Sequence, residues 1–382
     1  MRKIKVLPVF GTRPDAIKMA PLIRALRECE YIDLVVCSTG QHKEMLDQVL
    51  EAFGIKPDYD LQVMKPRQTL ESVTADILKG FKEVLLAEKP DLTLVHGDTN
   101  TCLSCALASF YGKVPCGHVE AGLRSFDKYL PFPEEMNRVL TGRLADLHFA
   151  PTRENKNNLL REGIGPEHIY ITGNTSIDVV KNSVKPDYQF QDSFLQNYDF
   201  SNKRVISVTA HRRENIGQPL VNICNALLDT VERFDDAEVI YAVHMNPAVR
   251  EIVYPTLRHE RIHLIDPLGL WDMHNLMARS YMIVTDSGGL QEEGPALGKP
   301  VLVLRNETER QEAVQAGTVK LAGTDREVIA SMIAELMEDE KVYDRMARAC
   351  NPYGDGNASK RIVDAILYEF DILKERPEDY HS

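Results

Sequence analysis

Three acidic positions lie close together along the middle of the chain. Asp98 follows an apolar run at residues 92–95, Glu120 follows a second run at residues 114–119, and Glu134 comes after a proline-rich turn. Short apolar runs with a helix-like stretch between them predict parallel strands, whose carboxyl ends open onto one crevice. Because crowding separates the pKa values of grouped carboxylates, such a rim favours acid/base chemistry. Each acid alone is also a common helix cap, but three near one predicted rim favour function.

Basic residues follow the first predicted strand. Residues 4–10 are apolar, and the following GTRPDAIKMAPL places Pro14 near the first position of a helix. Free backbone N–H groups at a helix start attract anions, and Arg13 and Lys18 add positive charge. The pattern is neither GxGxxG nor a P-loop, so it does not indicate a dinucleotide or ATP site.

A second anion site is predicted within residues 282–304. Ser287–Gly289 fall between a strand and a helix, where small residues let a phosphate approach backbone N–H groups. We expect Glu292 to cap the helix dipole and Glu293 to hold ribose hydroxyls. Arg310, in the sequence ETER, could close on the same anion.

Two histidines end further predicted strands of the second half. His211 is followed by Arg212 and Arg213, and His244 lies in the sequence VHMNP. A single histidine at such a place is more often structural, but two at the rim of one domain make a functional role equally reasonable. The predicted basic rim suits a diphosphate, and the acidic rim suits a sugar whose carbon must lose a proton.

The length and the repeated order of elements indicate two domains. A chain of 382 residues exceeds one ordinary core, and the order strand, basic loop, helix at residues 4–22 recurs at residues 204–234. The prediction is an α/β chain with two doubly wound Rossmann-like domains facing across a cleft. We place the first domain at residues 1–173, the second at residues 174–358, and a final helical segment at residues 359–382 that returns to the first domain. Residues 180–203 are expected to form a polar surface segment.

Composition narrows the partners and the compartment. The net charge of −12 argues against nucleic acid as the main partner. The N-terminal apolar run is too short for a secretion signal, and no run approaches a membrane span. The seven cysteines favour reduced thiols in the cytoplasm, with Cys102 and Cys105 as buried side chains of one helix.

Taken together, these motifs resemble the non-hydrolysing UDP-N-acetylglucosamine 2-epimerases. The resemblance rests on FGTRPDAIKMAPL, HGDTNT, GHVEAGLRS, PFPEEMNR, GNTSID, TAHRREN, VHMNP, TDSGGLQEE, ETER and NPYGDGNAS, which extend from near residue 10 to residue 359. It implies the two-domain glycosyltransferase-B fold and a homodimer. It also implies an enzyme that needs neither a cofactor nor a metal ion.

The resemblance further assigns roles to individual residues. The catalytic positions it implies are Asp98, Glu120, Glu134 and His211. The substrate or UDP positions it implies are Arg13, Lys18, Arg138, Arg212, His244, Ser287, Gly288, Gly289, Glu293 and Arg310. A second, activating site for UDP-N-acetylglucosamine is implied at Gln41, His42, Arg67 and Gln68. The chain departs from the family pattern at Asp15, where glutamate is usual, and at Glu44, where some members have glutamine.

The reaction implied by the resemblance inverts C2 of UDP-N-acetylglucosamine to give UDP-N-acetylmannosamine. Anti elimination of UDP would give 2-acetamidoglucal, and UDP would then add back. Three alternatives remain open: a hydrolysing 2-epimerase that releases N-acetylmannosamine, a glycosyltransferase of the same fold, and a nucleotide-sugar sensor without turnover. The sequence also leaves open a diacetamido-uronic substrate and the surface polymer that receives the product.

Overall fold

The computed structural model describes residues 2–40, 49–65 and 67–381, which include the predicted site residues Arg67 and Gln68 but not Gln41 and His42. These residues form two compact units. Unit 1 comprises residues up to Val179 together with Tyr353–His381, and unit 2 comprises Val180–Pro352. The units therefore change at 179/180 and 352/353, whereas the sequence predicted limits at 173/174 and 358/359.

Unit 1 is built on a parallel sheet with the strand order β4-β3-β1-β5-β6-β7-β8, and β2 also pairs with β1. Its strands are β1 (Ile4–Phe10), β2 (Ile32–Leu34), β3 (Cys37–Ser38), β4 (Tyr59–Asp60), β5 (Leu92–His96), β6 (Cys116–Val119), β7 (Leu147–Ala150) and β8 (Ile169–Ile171). Its described helices are α1 (Arg13–Glu28), α2 (Leu70–Glu88), α3 (Asn100–Gly112), α4 (Glu134–Leu144), α5 (Arg153–Arg161), α6 (Thr175–Ser183), whose last residues belong to unit 2, and α15 (Ala358–Glu369).

The strands of unit 1 are apolar on both faces because helices cover both faces. Val6 and Phe10 of β1 pack with α1 and α15, whereas Leu7 and Val9 pack with α2 and α3. Helix α15 buries Ile362 in the core of unit 1, and its first N–H groups donate to Asp178. The C-terminal segment is therefore an integral layer of unit 1.

Unit 2 carries a parallel sheet with the strand order β11-β10-β9-β12-β13-β14. Its strands are β9 (Arg204–Thr209), β10 (Ala237–Ala242), β11 (Ile262–Ile265), β12 (Met282–Thr285), β13 (Val301–Val303) and β14 (Val319–Leu321). Its further helices are α7 (Ser193–Gln196), α8 (Gln218–Arg233), α9 (Pro247–Thr256), α10 (Leu270–Arg279), α11 (Gly288–Ala296), α12 (Gln311–Ala316), α13 (Arg326–Glu338) and α14 (Glu340–Ala347).

Both sheets have a topological switch point, where successive crossovers leave in opposite directions. It lies between β1 and β5 in unit 1 and between β9 and β12 in unit 2. Ligands of doubly wound sheets bind outside the strand ends at such points. The predicted fold class, two doubly wound α/β sheets, is confirmed.

The prediction of a polar surface segment at residues 180–203 is wrong. Phe190 and Leu195 are buried in a cluster with Val205 and Ile240 of the unit 2 sheet. The segment covers one face of that sheet with aromatic side chains, whose irregular spacing matches neither a helix nor a strand. Among the described residues, no helix is both long enough and apolar enough to cross a bilayer.

Candidate functional site

The switch point of unit 1 brings the start of α1 next to the turn after β5. Thr12 caps α1 by accepting a hydrogen bond from the Asp15 N–H, and the Asp15 carboxylate accepts one from the Thr12 N–H in return. The Thr99 hydroxyl also donates to Asp15 at 3.1 Å. Burial raises the pKa of Asp15 to about 6. Asp15 thus ties the helix that carries Arg13 and Lys18 to the loop that carries Asp98.

Gly11 allows this close approach. A Cβ at position 11 would lie 2.1 Å from Thr101 Oγ1 and 2.3 Å from Thr39 Oγ1, and these two hydroxyls are hydrogen-bonded to each other at 2.8 Å. A side chain would fit there only if Thr39 and Thr101 moved. The first turn of the predicted anion site is therefore fixed by close packing.

Asp98 is held by a two-pronged contact from α4. Arg138 donates from Nε at 2.9 Å and from Nη2 at 2.7 Å to the same oxygen, Asp98 Oδ2. The Asn137 amide donates to the Asp98 carbonyl at 2.8 Å. Burial raises the pKa of Asp98, the nearby Arg138 charge opposes that rise, and the Glu120 charge adds to it. Asp98 and Glu120 therefore interact at one rim of the sheet, as predicted.

Glu120 lies in a constrained position between a lysine and a buried histidine. Its φ of +62° is in the left-handed region, which costs a non-glycine residue about 1 kcal/mol or more. Lys18 Nζ lies 2.6 Å from Glu120 Oε2, and His96 Nε2 lies 3.6 Å from the same oxygen. Burial lowers the pKa of His96 to about 4, so its ring is neutral near pH 7. Lys18 is thereby placed directly against a predicted catalytic carboxylate.

The two glutamates at the start of α4 have different environments. Glu134 is the first residue of the helix and is partly exposed. Glu135 is 2% exposed; its carboxylate accepts hydrogen bonds from the backbone N–H groups of Ser125 and Phe126 and is 3.0 Å from Arg138 Nη1. Glu135 thus links the preceding loop to Arg138.

In unit 2, a buried aspartate organises the predicted basic rim. Asp286 follows β12 and is fully buried. Its Oδ2 accepts from the His211 N–H at 2.8 Å, the Arg212 N–H at 2.9 Å and the Asn215 amide at 2.9 Å. The Arg212 guanidinium also donates to the Asp286 carbonyl at 2.8 Å. Asp286 therefore sets the loop after β9 in place across the switch point.

The two predicted histidines lie together. The rings of His211 and His244 are stacked with centroids 5.1 Å apart and planes 13° apart. His211 Nδ1 lies 3.4 Å from Asp286 Oδ1, and the His211 side chain is 41% exposed. A carboxylate beside one ring nitrogen leaves the opposite side of His211 to face a ligand.

The start of α11 follows the prediction for Ser287–Gly289 but not for Glu292. Ser287 is the N-cap and the helix begins at Gly288, so Glu292 lies beyond the first turn. Its carboxylate instead accepts a hydrogen bond from Arg310 Nε at 3.0 Å. The dipole-capping role predicted for Glu292 is therefore wrong. Glu292 holds Arg310, whose Cζ would lie 3.3 Å from a Cβ on Gly288.

Only part of the predicted activating site lies in the described residues. Arg67 has a φ of +61° in a turn. The Gln68 side chain accepts from the Lys65 N–H at 2.7 Å and donates to the Val63 carbonyl at 2.8 Å. Gln68 thus stabilises its own loop, and the activating role stays a prediction.

Several organising residues were not singled out by the sequence analysis: His96, Asn137, Asn215 and Asp286. Asp286 could have been predicted, because it directly follows a strand, and the predicted site residue Asp98 lies two residues after a strand. The others required knowledge of side-chain direction. Within the described residues, no three His, Cys, Asp or Glu side chains are arranged to hold a metal ion.

Comparison with known proteins gives one consistent family. The family model described as UDP-N-acetylglucosamine 2-epimerase matches residues 24–367. The UDP-N-acetylglucosamine 2-epimerase of Bacillus subtilis is 51% identical over 381 residues, covering 100% of this chain and 99% of the relative.

Solved structures agree with that match. A crystal structure of UDP-N-acetylglucosamine 2-epimerase superposes with a TM-score of 0.93 at 49% identity, covering 100% of both chains. The enzyme from Neisseria meningitidis bound to UDP-GlcNAc superposes with a TM-score of 0.81 at 48% identity, covering 96% of this chain and 100% of the other. This chain belongs to the UDP-N-acetylglucosamine 2-epimerase family.

Proposed function

We propose that the chain is a non-hydrolysing 2-epimerase that interconverts UDP-N-acetylglucosamine and UDP-N-acetylmannosamine. The observation that carries this proposal is the pair Asp98 and Glu120 at the switch point of unit 1, each held by its own cation. Arg138 contacts Asp98 at 2.7 Å, and Lys18 contacts Glu120 at 2.6 Å. Two differently held carboxylates can be in different protonation states at one pH, which a reaction with one base and one acid requires.

The chemical difficulty is the C2 hydrogen, which is not adjacent to a carbonyl. Breaking the C1–O bond to UDP builds positive character on the ring and makes that proton removable. A carboxylate then takes the C2 proton, the C–H electrons form the C1–C2 double bond, and 2-acetamidoglucal and UDP remain bound. Proton delivery to the opposite face of C2 and return of the UDP oxygen to C1 give the epimer.

Two faces of C2 require two proton-handling groups. We assign these roles jointly to Asp98, Glu120 and Glu134, with one carboxylate also stabilising the cationic ring. The proximity of Asp98 and Glu120 supports the assignment, and the partial exposure of Glu134 is compatible with it.

We assign the departing diphosphate to the cationic side chains and helix starts. In unit 2 these are His211, Arg212, His244, Arg310 and the α11 terminus at Ser287–Gly289, where backbone N–H groups attract anions. We propose Arg13, at the start of α1, as a further substrate contact. Removing one preorganised charge contact of this kind typically costs about 3 kcal/mol of barrier.

Two alternatives predict different outcomes when UDP-N-acetylglucosamine is the only substrate. A hydrolysing 2-epimerase would release free N-acetylmannosamine and UDP, and a sensor would bind UDP-N-acetylglucosamine without converting it. Incubation with UDP-N-acetylglucosamine alone, followed by NMR, separates the three. We expect a mixture of the two UDP-sugars and no accumulating free sugar. Free N-acetylmannosamine, or unchanged substrate, would reject the proposal.

Matched variants test the three carboxylates. Asp98→Asn, Glu120→Gln and Glu134→Gln should lose turnover and still bind UDP. Glu154→Gln is a suitable control, because Glu154 is a surface residue that pairs with Arg161 on α5. Wild-type turnover in any of the three site variants would remove that residue from the scheme.

The resemblance also supports three proposals about assembly and location, regulation, and the use of the product. We infer a homodimer in the cytoplasm, activation by substrate through Gln41, His42, Arg67 and Gln68, and a product used for a cell-surface polysaccharide. Sedimentation velocity tests the dimer. A sigmoidal dependence of rate on substrate concentration that Arg67→Ala makes hyperbolic would support the activating site.

A further inference from the structure

A buried histidine of unit 2 contacts one of the predicted ligand residues. His274 lies on α10 and is 1% exposed. Its Nε2 lies 3.4 Å from Oε2 of Glu293 on α11, and within the described residues that nitrogen has no hydrogen-bond partner. A buried ring nitrogen without a partner is unusual enough to need an explanation.

The other side of the ring defines the proton positions. His274 Nδ1 lies 2.6 Å from the Ser183 hydroxyl, which is also 2.9 Å from the Val180 carbonyl. A carboxylate facing Nε2 requires a donor there, so Nε2 carries the hydrogen. The Ser183 hydroxyl donates to the Val180 carbonyl and its oxygen lies against Nδ1, which holds the ring with Nε2 toward Glu293. Ser183, His274 and Glu293 therefore form a connected series that ends on the Glu293 carboxylate.

The position of Glu293 shows what this arrangement can do. Its side chain is 19% exposed, and Oε1 would lie 3.6 Å from a Cβ on Gly289. Glu293 thus directs one oxygen toward the N-terminal turn of α11 and the other toward the buried ring. A carboxylate fixed in this way is suited to accept hydrogen bonds from two adjacent hydroxyl groups.

We propose that His274 is a positioning residue that directs the Glu293 carboxylate at the ribose cis-diol of bound UDP. This inference rests on the proposed UDP site. A fixed acceptor loses less rotamer entropy on binding than a mobile one, so positioning should appear as selectivity for the diol. It should not affect the diphosphate contacts.

The test compares UDP with 2′,3′-dideoxy-UDP, which lacks both hydroxyls, by titration calorimetry. We expect wild type to bind UDP at least tenfold more tightly than the dideoxy compound, because hydrogen bonds to a carboxylate are lost. His274→Phe should weaken UDP binding about tenfold while leaving dideoxy-UDP binding nearly unchanged. His274→Gln retains a donor at the corresponding position and should recover part of the UDP affinity.

His263→Phe is the matched control, because His263 also contacts a glutamate, Glu238 at 2.7 Å, and lies on β11 of the same unit. It should leave the selectivity for the diol intact. Equal weakening of both ligands in His274→Phe, or wild-type selectivity in that variant, would overturn the inference while leaving the UDP site standing. Failure of wild type to bind UDP at all would instead reject the proposed function, together with the inference that depends on it.

Discussion

Replacing Arg138 should change the pH at which the enzyme works. Arg138 donates twice to Asp98 Oδ2, and its charge opposes the rise in the pKa of Asp98 that burial and Glu120 cause. In Arg138→Met the opposing charge is gone, so the pKa of Asp98 rises further. If Asp98 must be ionised for turnover, the acidic limb of the kcat profile moves to higher pH.

The magnitude follows from the geometry. An adjacent arginine lowers the pKa of an aspartate by about 1 to 3. The Asp98 side chain is 28% exposed, so solvent screens part of that effect and we take the lower part of the range. The acidic limb should therefore move by about 1 to 2 pH units, equivalent to about 1.4 to 2.7 kcal/mol. Arg138→Lys, which retains a charge with poorer geometry, should give a smaller displacement.

The assay is kcat against pH, with both UDP-sugars quantified by NMR at saturating substrate. Arg143→Met is the control, because Arg143 is exposed on the same helix. Arg138→Met also removes the cation beside buried Glu135, so circular dichroism should first establish that the variant is folded. An acidic limb at the wild-type pH in a folded Arg138→Met enzyme would refute the reasoning that turnover needs an ionised Asp98 whose pKa Arg138 lowers.

Three further predictions concern the residues that hold the two rims. Gly11→Ala forces a methyl group against Thr39 and Thr101 and should lower the free energy of unfolding by about 2 kcal/mol. Urea denaturation measures this change, and an unchanged midpoint of the urea transition would contradict the close packing. The pKa of Asp15 is about 6 when folded and about 3.9 when unfolded, so the folded state binds the proton more tightly between these values. The stabilisation due to the Asp15 proton is therefore present at pH 4 and is lost as pH rises through about 6. The free energy of unfolding of wild type minus that of Asp15→Asn should fall by about 2 kcal/mol from pH 4 to pH 7, and a constant difference would contradict the raised pKa. Asp286→Asn weakens the acceptor of three N–H groups and should lower the free energy of unfolding by about 2 kcal/mol. It should also weaken UDP binding, and calorimetry showing wild-type UDP affinity would contradict the organising role of Asp286.

The positions of Asp98, Glu120 and Ser287 were predictable because one rule places them. Each follows an apolar run, and the carboxyl ends of parallel strands meet at one edge of a sheet. The apolar runs themselves are readable because parallel strands are covered on both faces. The fold class and the two rims therefore follow from sequence periodicity alone.

The misses came from one-residue differences in direction. Glu134 and Glu135 lie four and three residues before Arg138, and both spacings allow contact on one helix, so spacing alone did not show that Glu135 makes it. At α11 the uncertain feature was the first residue of the helix. The helix begins at Gly288, which places Glu292 beyond the first turn, where it contacts Arg310 instead of capping the helix. His96 resembles an ordinary core position, because it ends an apolar strand and its contact with Glu120 depends on the neighbouring strand. The buried segment around Phe190 was not predicted because its aromatic residues are irregularly spaced and match neither helical nor strand periodicity.

The most direct test of the central claim is turnover of UDP-N-acetylglucosamine in heavy water. If UDP leaves C1 and a carboxylate takes the C2 proton, solvent deuterium should enter C2 of both UDP-sugars, and NMR should show the C2 proton signals of both disappear at equilibrium. Epimerisation that retains the original hydrogen at C2 would contradict removal of that proton by a carboxylate that exchanges with solvent.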